Sequence, residues 1–538
     1  MYQPWLKDFK EFLIKSHPLP PSVQPIPEEK ALPPRYTLSL RLGEAKSRPA
    51  PEAATNAAPD TETAVDFPPP VLLPRPNSND AVVVSNTRVT PADHWQDVRL
   101  VELDVSFPVV DGTAYKPLPG DRVVVYPKNY PSDVQKLIEL MEWESVADKE
   151  VSLGARLPNG LYPPPNCTLR DLLTHNIDIM AVPSRSFLHK LAFHTTHEDQ
   201  KEKLFELVQP DAAQAFYDFT SRPRRTILEV LAEFYSSKIP YEAIPDVFPI
   251  IRGREFSIAN GGETLEKTQH SHKSANAAGD DSSAAPESAN GTVVCRIDVF
   301  AALVEYRTII RKPRVGLCSR YLKNLPVGTP LHVEMKRETP PPTGPAAANR
   351  PLIAIATGTG VAPVRSLIHD RIQTSPRAET LLFFGCRNKS ADFHFHEEWE
   401  RTSDLTVIPA FSRDPKPAEP EPETKPEEKP VANGVPLTNG ATESEEPTEP
   451  VVVTYSYDEG KNYVQHMIRR NAAKVCALLK KNAIICLCGN SGRMPKSVRE
   501  ALRDAAVSGG FCKDTDEAEK LLFDEKDPNK VFYWEETW

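Results

Sequence analysis

The segment IAIATGTGVAPVRSLI (353–368) constrains the fold more than any other stretch of this chain. An apolar strand ends in Gly358, Thr359 and Gly360, and a helix follows almost at once. Glycines let the backbone approach a pyrophosphate, and a helix N-terminus offers N–H groups and a favourable dipole. The turn lacks the six-position dinucleotide fingerprint, because Pro363 stands in place of the third glycine. Proline is tolerated there, since it falls near the first turn of the predicted helix. The pattern predicts a phosphate-binding turn, with an ordinary tight turn as the alternative.

The rest of residues 350–538 repeats this alternation of strand and helix. Apolar strands are predicted at 351–358, 379–388 and 483–490, and amphipathic helices at 361–372, 463–481 and 494–507. Such a βαβ rhythm predicts a doubly wound parallel sheet. Ligands of such sheets bind at the carboxyl ends of the strands, so Cys488, at the end of a buried strand, is a site candidate. The alternative is an inert structural cysteine.

Residues 81–345 have a different pattern. Alternating apolar and polar residues predict strands at the start and end of this range, as in DVRLVELDVSF (97–107). Between 130 and 245 the apolar spacing changes to three and four residues, which predicts a helical subdomain inserted into a β domain. Ser132, Thr168 and Ser184 lie near predicted helix starts as N-caps.

Three segments have too few large apolar side chains to build a core. Residues 1–80 are rich in Pro and Ala and are predicted to be a largely disordered linker. Residues 262–290 are mostly Ser, Ala, Asn, Asp and Gly, which predicts a disordered insertion in a hairpin. Residues 415–450 are acidic and proline-rich, which predicts a second disordered insertion.

Charge and composition exclude several classes of protein. The chain of 538 residues has a net charge of −10, which disfavours nucleic-acid binding. No apolar run reaches the ~18 residues that a membrane helix needs, and the N-terminus lacks the features of a signal peptide. The eight cysteines are scattered without the paired spacing of a zinc site, so we expect no metal. Unpaired thiols indicate a reducing compartment, by default the cytosol.

A small cationic group flanks the acidic insertion. Ser412 and Arg413 precede it, and Lys461 follows it, at the predicted carboxyl edge of the sheet. Arg binds phosphate in bidentate fashion and Lys adds a point charge. The group therefore favours NADP, whose 2′-phosphate it could bind, over NAD. Ordinary surface charges beside a loop are the alternative.

Two stretches of the β domain suggest a second dinucleotide. In REFSIAN (254–260), Arg254, Phe256 and Ser257 could supply a guanidinium for phosphate, a ring for stacking and a hydroxyl for a ring nitrogen. These suit a flavin dinucleotide if the strand ends near Ser257; by composition alone, an edge strand is the alternative. In RVGLCSRYLKNL (314–325), Gly316 and Ser319 at a predicted helix start suit a phosphate, with a simple helix cap as the alternative.

Taken in order, these motifs resemble the ferredoxin-NADP reductase superfamily. Within it, they are most similar to the NADPH-dependent diflavin oxidoreductases, relatives of cytochrome P450 reductase, over residues 81 to 538. The resemblance implies a β-barrel FAD-binding domain (81–345) with an inserted α-helical connecting subdomain (130–245). A doubly wound α/β NADP-binding domain (350–538) would follow.

The resemblance also assigns site residues. It implies that FAD is bound by Arg254, Phe256, Ser257, Gly316, Leu317, Cys318 and Ser319. It implies that NADPH is bound by Gly358, Thr359, Gly360, Pro363, Ser412, Arg413, Lys461, Tyr463 and Gln465. Catalytic roles fall on Ser257, Cys488, Glu536 and Trp538, the last being the aromatic residue that covers the flavin. Two departures are conservative: Phe256 replaces the family's tyrosine, and Glu536 replaces its aspartate.

The implied reaction is hydride transfer from NADPH to FAD, which then releases electrons singly. In close relatives the electrons pass through FMN to an anamorsin-like iron–sulfur protein in cytosolic iron–sulfur cluster assembly. This chain shows no flavodoxin-like FMN domain, so we expect either a truncated product of a longer gene or an FMN domain on a separate protein. The alternatives are a single-flavin NADPH reductase that serves a soluble carrier, and a degenerate, non-enzymatic scaffold.

Overall fold

The structure is a computed structural model. It describes residues 2–18, 20, 30–41, 66–154, 156–265, 291–309, 311, 313–414, 462–524, 526–527 and 530–538. Within those ranges, no helix combines the length and the apolar character needed to cross a membrane. Lys461 and the predicted insertion 415–450 lie outside the described residues, as do residues 266–290.

The first part of the chain combines an antiparallel sheet with a group of helices. Its helices and strands are α1 (Tyr2–Ser16), β1 (Leu38–Leu40), β2 (Ser78–Arg88), β3 (Val98–Pro108), β4 (Arg122–Val125), α2 (Pro131–Met141), β5 (Val151–Leu153), α3 (Leu169–His175), α4 (Arg185–Ala192), α5 (Glu198–Val208), α6 (Ala213–Phe216), α7 (Ile227–Glu233), α8 (Ile244–Val247), β6 (Arg254–Ser257), β7 (Thr292–Ala302), β8 (Glu305–Arg307), β9 (Pro313–Val315), α9 (Leu317–Lys323) and β10 (Pro330–Lys336).

The antiparallel sheet curls back on itself. Its described strands follow the order β6-β4-β10-β2-β3-β7, and every pairing is antiparallel. Just after β6, Ile258 pairs with Val299 of β7, so the two edges of the sheet approach each other. The inner side is filled by alternating strand residues such as Val105, Phe107 and Val123, all fully buried. This curl places the end of β6 at the margin of the sheet.

The helices α2 to α8 lie between β4 and β6 and surround a core of their own. Thr168 and Ser184 cap α3 and α4, as predicted, by accepting from backbone N–H groups. Ser132 is not a cap, because α2 begins at Pro131 and the Ser132 hydroxyl bonds to Asp66 instead.

The second part of the chain is a parallel sheet between helices. Its elements are α10 (Gly344–Ala348), β11 (Leu352–Thr357), α11 (Val361–Arg371), β12 (Thr380–Cys386), α12 (Lys389–Asp392), α13 (His396–Glu400), β13 (Leu405–Phe411), α14 (Val464–Arg470), α15 (Ala472–Leu479), β14 (Ile484–Gly489), α16 (Met494–Ser508), α17 (Thr515–Phe523) and β15 (Phe532–Thr537).

The strand order places a switch point at the centre of this sheet. The described strands run β13-β12-β11-β14-β15, all parallel. From β11 the chain proceeds outward to β13 and then returns to β14, so the topology reverses between β11 and β14. Ligands of doubly wound sheets bind outside the carboxyl ends of the strands at such a point. One face of the sheet packs on α14 to α17, and the other packs on α11 and the antiparallel sheet.

Two predicted disordered segments are partly ordered. Within 1–80, β1 pairs with β5, Leu73 and Arg75 are buried, and the backbone oxygens of Pro69 and Val71 accept bonds from Lys128. The proline-rich composition did not indicate these contacts, because they are made by main-chain atoms and by isolated side chains.

The first residues of the 262–290 segment are also ordered. Residues 262–265 form a 3-10 turn with Leu265 buried. The prediction of disorder from 262 is wrong for this turn, because it packs against the main chain of α11 near His369.

Candidate functional site

The two sheets meet at a hydrogen bond between two predicted site residues. Ser257, the last residue of β6, is buried, and its hydroxyl donates to Glu536 Oε1 of β15 at 2.7 Å. Burial raises the pKa of the Glu536 carboxyl, while the Ser257 hydrogen bond acts in the opposite direction. Glu536 Oε2 is buried without a hydrogen-bond partner among the described residues. The site therefore holds an acceptor whose second oxygen is left for a ligand.

Cys488 lies beside this pair. It occupies the register position opposite Glu536 on neighbouring parallel strands and is fully buried. Burial raises the pKa of its thiol well above the usual value, and the nearby Glu536 charge adds to that effect. A thiol with such a pKa stays protonated at neutral pH, so it can donate a weak hydrogen bond but is a poor nucleophile.

The predicted glycine turn lies at the switch point. Gly358 has φ +53°, a conformation that favours glycine, and a Cβ there would meet nothing within 4 Å. Gly360 is constrained differently, since its Cβ would lie 2.3 Å from the carbonyl oxygen of Cys488. One glycine therefore leaves the backbone open, and the other lets β11 and β14 approach. Thr359 lies between them, and Pro363 falls in the first turn of α11, as predicted.

The backbone of Trp538 is bound to the end of β14 and the residues that follow it. Its N–H donates to Gly489 O at 3.1 Å, and its carbonyl oxygen accepts from Ser491 at 3.0 Å. Trp538 as a whole is 50% exposed, so a planar partner could reach its ring.

Arg254 and the start of α9 converge on the antiparallel sheet. Arg254 is exposed, and its charge acts on the buried thiol of Cys318 at the start of α9, whose pKa burial raises to about 12. Gly316 is the N-cap of α9, and Leu317 is its first residue. The Ser319 hydroxyl accepts from the Val304 N–H at 2.8 Å, so it supports the loop rather than capping the helix.

Phe256 lies on the same strand as Arg254. It is half-buried and packs against the core of the antiparallel sheet. Because side chains alternate along a strand, Arg254 and Phe256 share a face that Ser257 does not.

Two of the predicted 2′-phosphate residues, Ser412 and Arg413, lie just after β13, beside the carboxyl end of β12. The backbone of Ser412 donates to Cys386, and that of Arg413 to Arg387, at 3.0 and 2.9 Å. Tyr463 is the N-cap of α14, a helix that contacts both strands, and it is exposed. Gln465 follows within the first turn of that helix.

Sequence reasoning missed two arginines at these places. Arg387 lies beside Arg413, and burial together with the Arg413 charge lowers its pKa. Its guanidinium lies 4.0 Å from the centre of the Trp95 ring. Arg122 is the register partner of Ser257, and its Nε lies 4.0 Å from Glu536 Oε1. The pairing of β4 with β6 brings Arg122 to its place, and the pairing of β12 with β13 brings Arg387 to its place. Each pairing joins segments that are separated by helices, so no local motif marks either arginine.

A cavity of about 760 Å³ lies elsewhere, between the end of β2 and the α12–α13 segment. Its lining includes Arg88, Phe300 and Arg401 and none of the predicted site residues. We place the functional site at the Ser257–Glu536 pair, because buried polar side chains from three strands lie together there: Ser257 of β6, Cys488 of β14 and Glu536 of β15.

Comparison with known proteins finds two domain families in the chain. Residues 75–270 match the FAD binding domain family, and residues 354–422 match the oxidoreductase NAD-binding domain family. The open backbone at Gly358, the unpartnered Glu536 Oε2 and the exposed Arg254 beside α9 fit two dinucleotides.

Relatives align over nearly the whole chain. The NADPH-dependent diflavin oxidoreductase 1 of Gibberella zeae is 37% identical over 99% of this chain and 76% of the relative. The protein of that name from Emericella nidulans is 37% identical over 94% of this chain and 71% of the relative. The one from Danio rerio is 30% identical over 99% and 76%. The chain therefore belongs to the NADPH-dependent diflavin oxidoreductase family of flavoenzymes.

Proposed function

We propose that this chain, an NADPH-dependent flavin oxidoreductase with FAD and NADPH as cofactors, delivers electrons to an iron–sulfur protein. The acceptor would be anamorsin-like and would serve iron–sulfur cluster assembly in the cytoplasm. FMN would mediate the transfer if a flavodoxin-like domain is supplied by a longer product or by a partner. Resemblance to the family supports the acceptor and the compartment. The main structural support for the proposed reductase step is the Ser257–Glu536 hydrogen bond between the two sheets.

Two groups of residues would hold the cofactors. Arg254, Phe256, Ser257 and the backbone of 316–319 would bind FAD, in a β-barrel domain carrying the helical connecting subdomain. The Gly358–Gly360 turn and the start of α11 would bind the NADPH pyrophosphate. Its 2′-phosphate would be bound by Ser412, Arg413, Lys461, Tyr463 and Gln465.

When bound, the cofactors supply the redox chemistry: NADPH gives a hydride to FAD, which releases electrons one at a time. The chain's own residues supply orientation and charge. Ser257 fixes the Glu536 carboxylate by donating to Oε1, which leaves Oε2 to carry either a proton or a negative charge. An ionised Oε2 would stabilise the positive charge that develops on a nicotinamide as it loses hydride. Cys488 stays protonated as a neutral donor, and the Trp538 ring would cover the flavin until NADPH displaces it.

The first test is the visible spectrum of the purified chain under anaerobic conditions. We expect flavin absorption that bleaches on addition of NADPH and far less on addition of NADH. The cofactor released by denaturation should be FAD. A protein that stays colourless after incubation with FAD would refute the reductase proposal.

The acceptor is tested separately. Purified anamorsin-like protein, incubated with NADPH and the chain, should show reduction of its cluster when a flavodoxin-like FMN domain is added. Omission of the FMN domain is the control. Failure with both proteins present would refute this acceptor while leaving FAD reduction intact.

A further inference from the structure

Helix α11 connects the glycine turn to the segment that follows Ser257. The helix begins directly after Gly360, and its second turn lies on residues 259–261 of the antiparallel part. The Ser366 hydroxyl donates to Asn260 O at 2.7 Å, in a fully buried position. A Cβ on Gly261 would lie 2.2 Å from Ser366 O, so the two main chains touch. The contact leaves no room for an intervening side chain.

Arg365 makes the charged part of this contact. Its Nη1 donates to Ala259 O at 2.8 Å and to Asp298 Oδ2 at 3.0 Å. Its Nε donates to Glu398 Oε2 at 2.9 Å. The side chains of Arg365 and Asp298 are only 11% and 9% exposed. Hydrogen bonds between ionised groups are strong and geometrically specific in such surroundings.

One turn further along α11, His369 extends the same network. Its Nε2 lies 2.5 Å from Glu398 Oε1, and its Nδ1 lies 3.2 Å from the Thr264 hydroxyl. The Phe395 ring covers the Arg365 guanidinium at 4.5 Å. Groups from β7, α13 and the turn after β6 therefore all converge on one face of α11.

We propose that Arg365 is a positioning residue for hydride transfer. It lies within two turns of the NADPH turn at Gly358–Gly360, and it binds the carbonyl two residues after Ser257. It thereby sets the distance between the two cofactor sites through short, stiff segments. Misplacement by about 1 Å can slow a reaction roughly 100-fold. The inference rests on the proposed function, because it assigns a role within that reaction.

A purely structural role is the competing explanation. Buried ion pairs are weak indicators of stability, since desolvation offsets their attraction. The two roles differ in what they change. A positioning residue alters the rate of hydride transfer while FAD content and binding of the adenosine half of NADPH stay intact.

The experiment compares Arg365→Gln and Arg365→Lys with the parent in the full-length chain loaded with FAD. Arg296→Gln is the matched control, because Arg296 is 16% exposed and bonds to Asp104 within the antiparallel sheet at 2.7 Å. The readouts are the anaerobic rate of flavin bleaching by NADPH, the Kd of 2′,5′-ADP, and hydrogen exchange in apo protein over 259–265 and 358–368. Bleaching of the parent by NADPH tests the proposed function independently.

We expect Arg365→Gln to slow bleaching at least about tenfold, with the Kd of 2′,5′-ADP within about twofold of the parent. In Arg365→Gln, amide exchange should be faster than in the parent over both 259–265 and 358–368. Arg365→Lys should recover part of the bleaching rate. Arg296→Gln should match the parent in all three readouts. A parent-like bleaching rate in fully loaded Arg365→Gln overturns the proposal. If Arg365→Gln does not fold, Ser366→Ala takes its place. Its bleaching rate must then fall about threefold while the Kd of 2′,5′-ADP stays near that of the parent, and a parent-like rate in Ser366→Ala also overturns the proposal.

Discussion

The Ser257 hydroxyl donates to the Glu536 carboxylate at 2.7 Å across a sequence separation of 279 residues. The bond joins the last residue of an antiparallel strand to the penultimate residue of a parallel one. It satisfies one carboxylate oxygen and leaves the other buried without a partner among the described residues. A buried, half-satisfied carboxylate costs free energy in the unliganded protein, and such strained polar groups are typical of functional sites.

Ser257→Ala should slow anaerobic reduction of FAD by NADPH by about 10- to 100-fold, because a hydrogen bond to a charged group contributes about 1.5–3 kcal/mol. FAD content should stay at the parent level. The measurement is stopped-flow bleaching at saturating NADPH. Ser85→Ala is the matched control, since that hydroxyl bonds to Glu102 in the same sheet at 2.5 Å. Parent-like rates in Ser257→Ala would show that the Ser257–Glu536 bond has no part in the reaction.

The rate of FAD reduction should rise with pH through the ionisation of Glu536. Burial raises the pKa of that carboxyl, so the rise should lie above the ordinary range near ~4.3. The Glu536→Gln variant should reduce FAD more slowly and should show no such rise with pH, because glutamine cannot carry a charge. In Glu338→Gln the rise should move to lower pH, since the Glu338 charge also raises the pKa of Glu536. If the rise persists in Glu536→Gln, it belongs to another group, and its assignment to Glu536 is wrong.

Local patterns predicted the parallel part of the fold well. The strand, glycine turn and helix at 353–368 are all present, since each depends on neighbours within a few residues. The predicted long helix at 463–481 is instead two helices that break at Asn471. Apolar spacing continues across this break, so periodicity could not detect it.

The contacts between distant segments were not predictable in the same way. Arg122 is brought to Ser257 by the pairing of β4 with β6, and Arg365 is brought to Asp298 by the packing of α11. Both contacts depend on pairings across many residues. Arg122 belongs to no local motif, and the pattern at 353–368 contains Arg365 without indicating a partner for it. The local strand pattern made Cys488 a site candidate and the family resemblance supplied Glu536, whereas their register on adjacent strands came from the fold.

Arg413→Gln should raise the KM for NADPH by about 10- to 100-fold and leave the KM for NADH nearly unchanged. Loss of one charge-assisted bond to a 2′-phosphate accounts for that range, and NADH has no such phosphate. Steady-state kinetics with both nucleotides is the measurement. Arg503→Gln, which removes a half-buried arginine paired with Glu519, is the control and should leave both constants unchanged. Equal effects on the two nucleotides would contradict a role in 2′-phosphate binding.

Lys128 provides a test of the fold outside the redox site. It is 6% exposed and donates to Pro69 O and Val71 O, and burial lowers its pKa to about 7. Between pH 7 and the ordinary lysine value near ~10.4, the unfolded chain binds more protons at this residue than the folded one. Stability of the parent from this group therefore rises with pH across that window.

In the parent, Lys128 takes up protons when the chain unfolds, and Lys128→Met removes that uptake. The free energy of unfolding of the parent should therefore increase relative to that of the variant as the pH rises from 7 to 9. Urea unfolding of both proteins at pH 7, 8 and 9 measures the difference. Lys203→Met, which changes an exposed lysine, should keep the slope of the parent. A parent-minus-variant difference that stays constant or falls across the window means that Lys128 is not a buried ammonium, and that the 69–71 segment is not held as the structure has it.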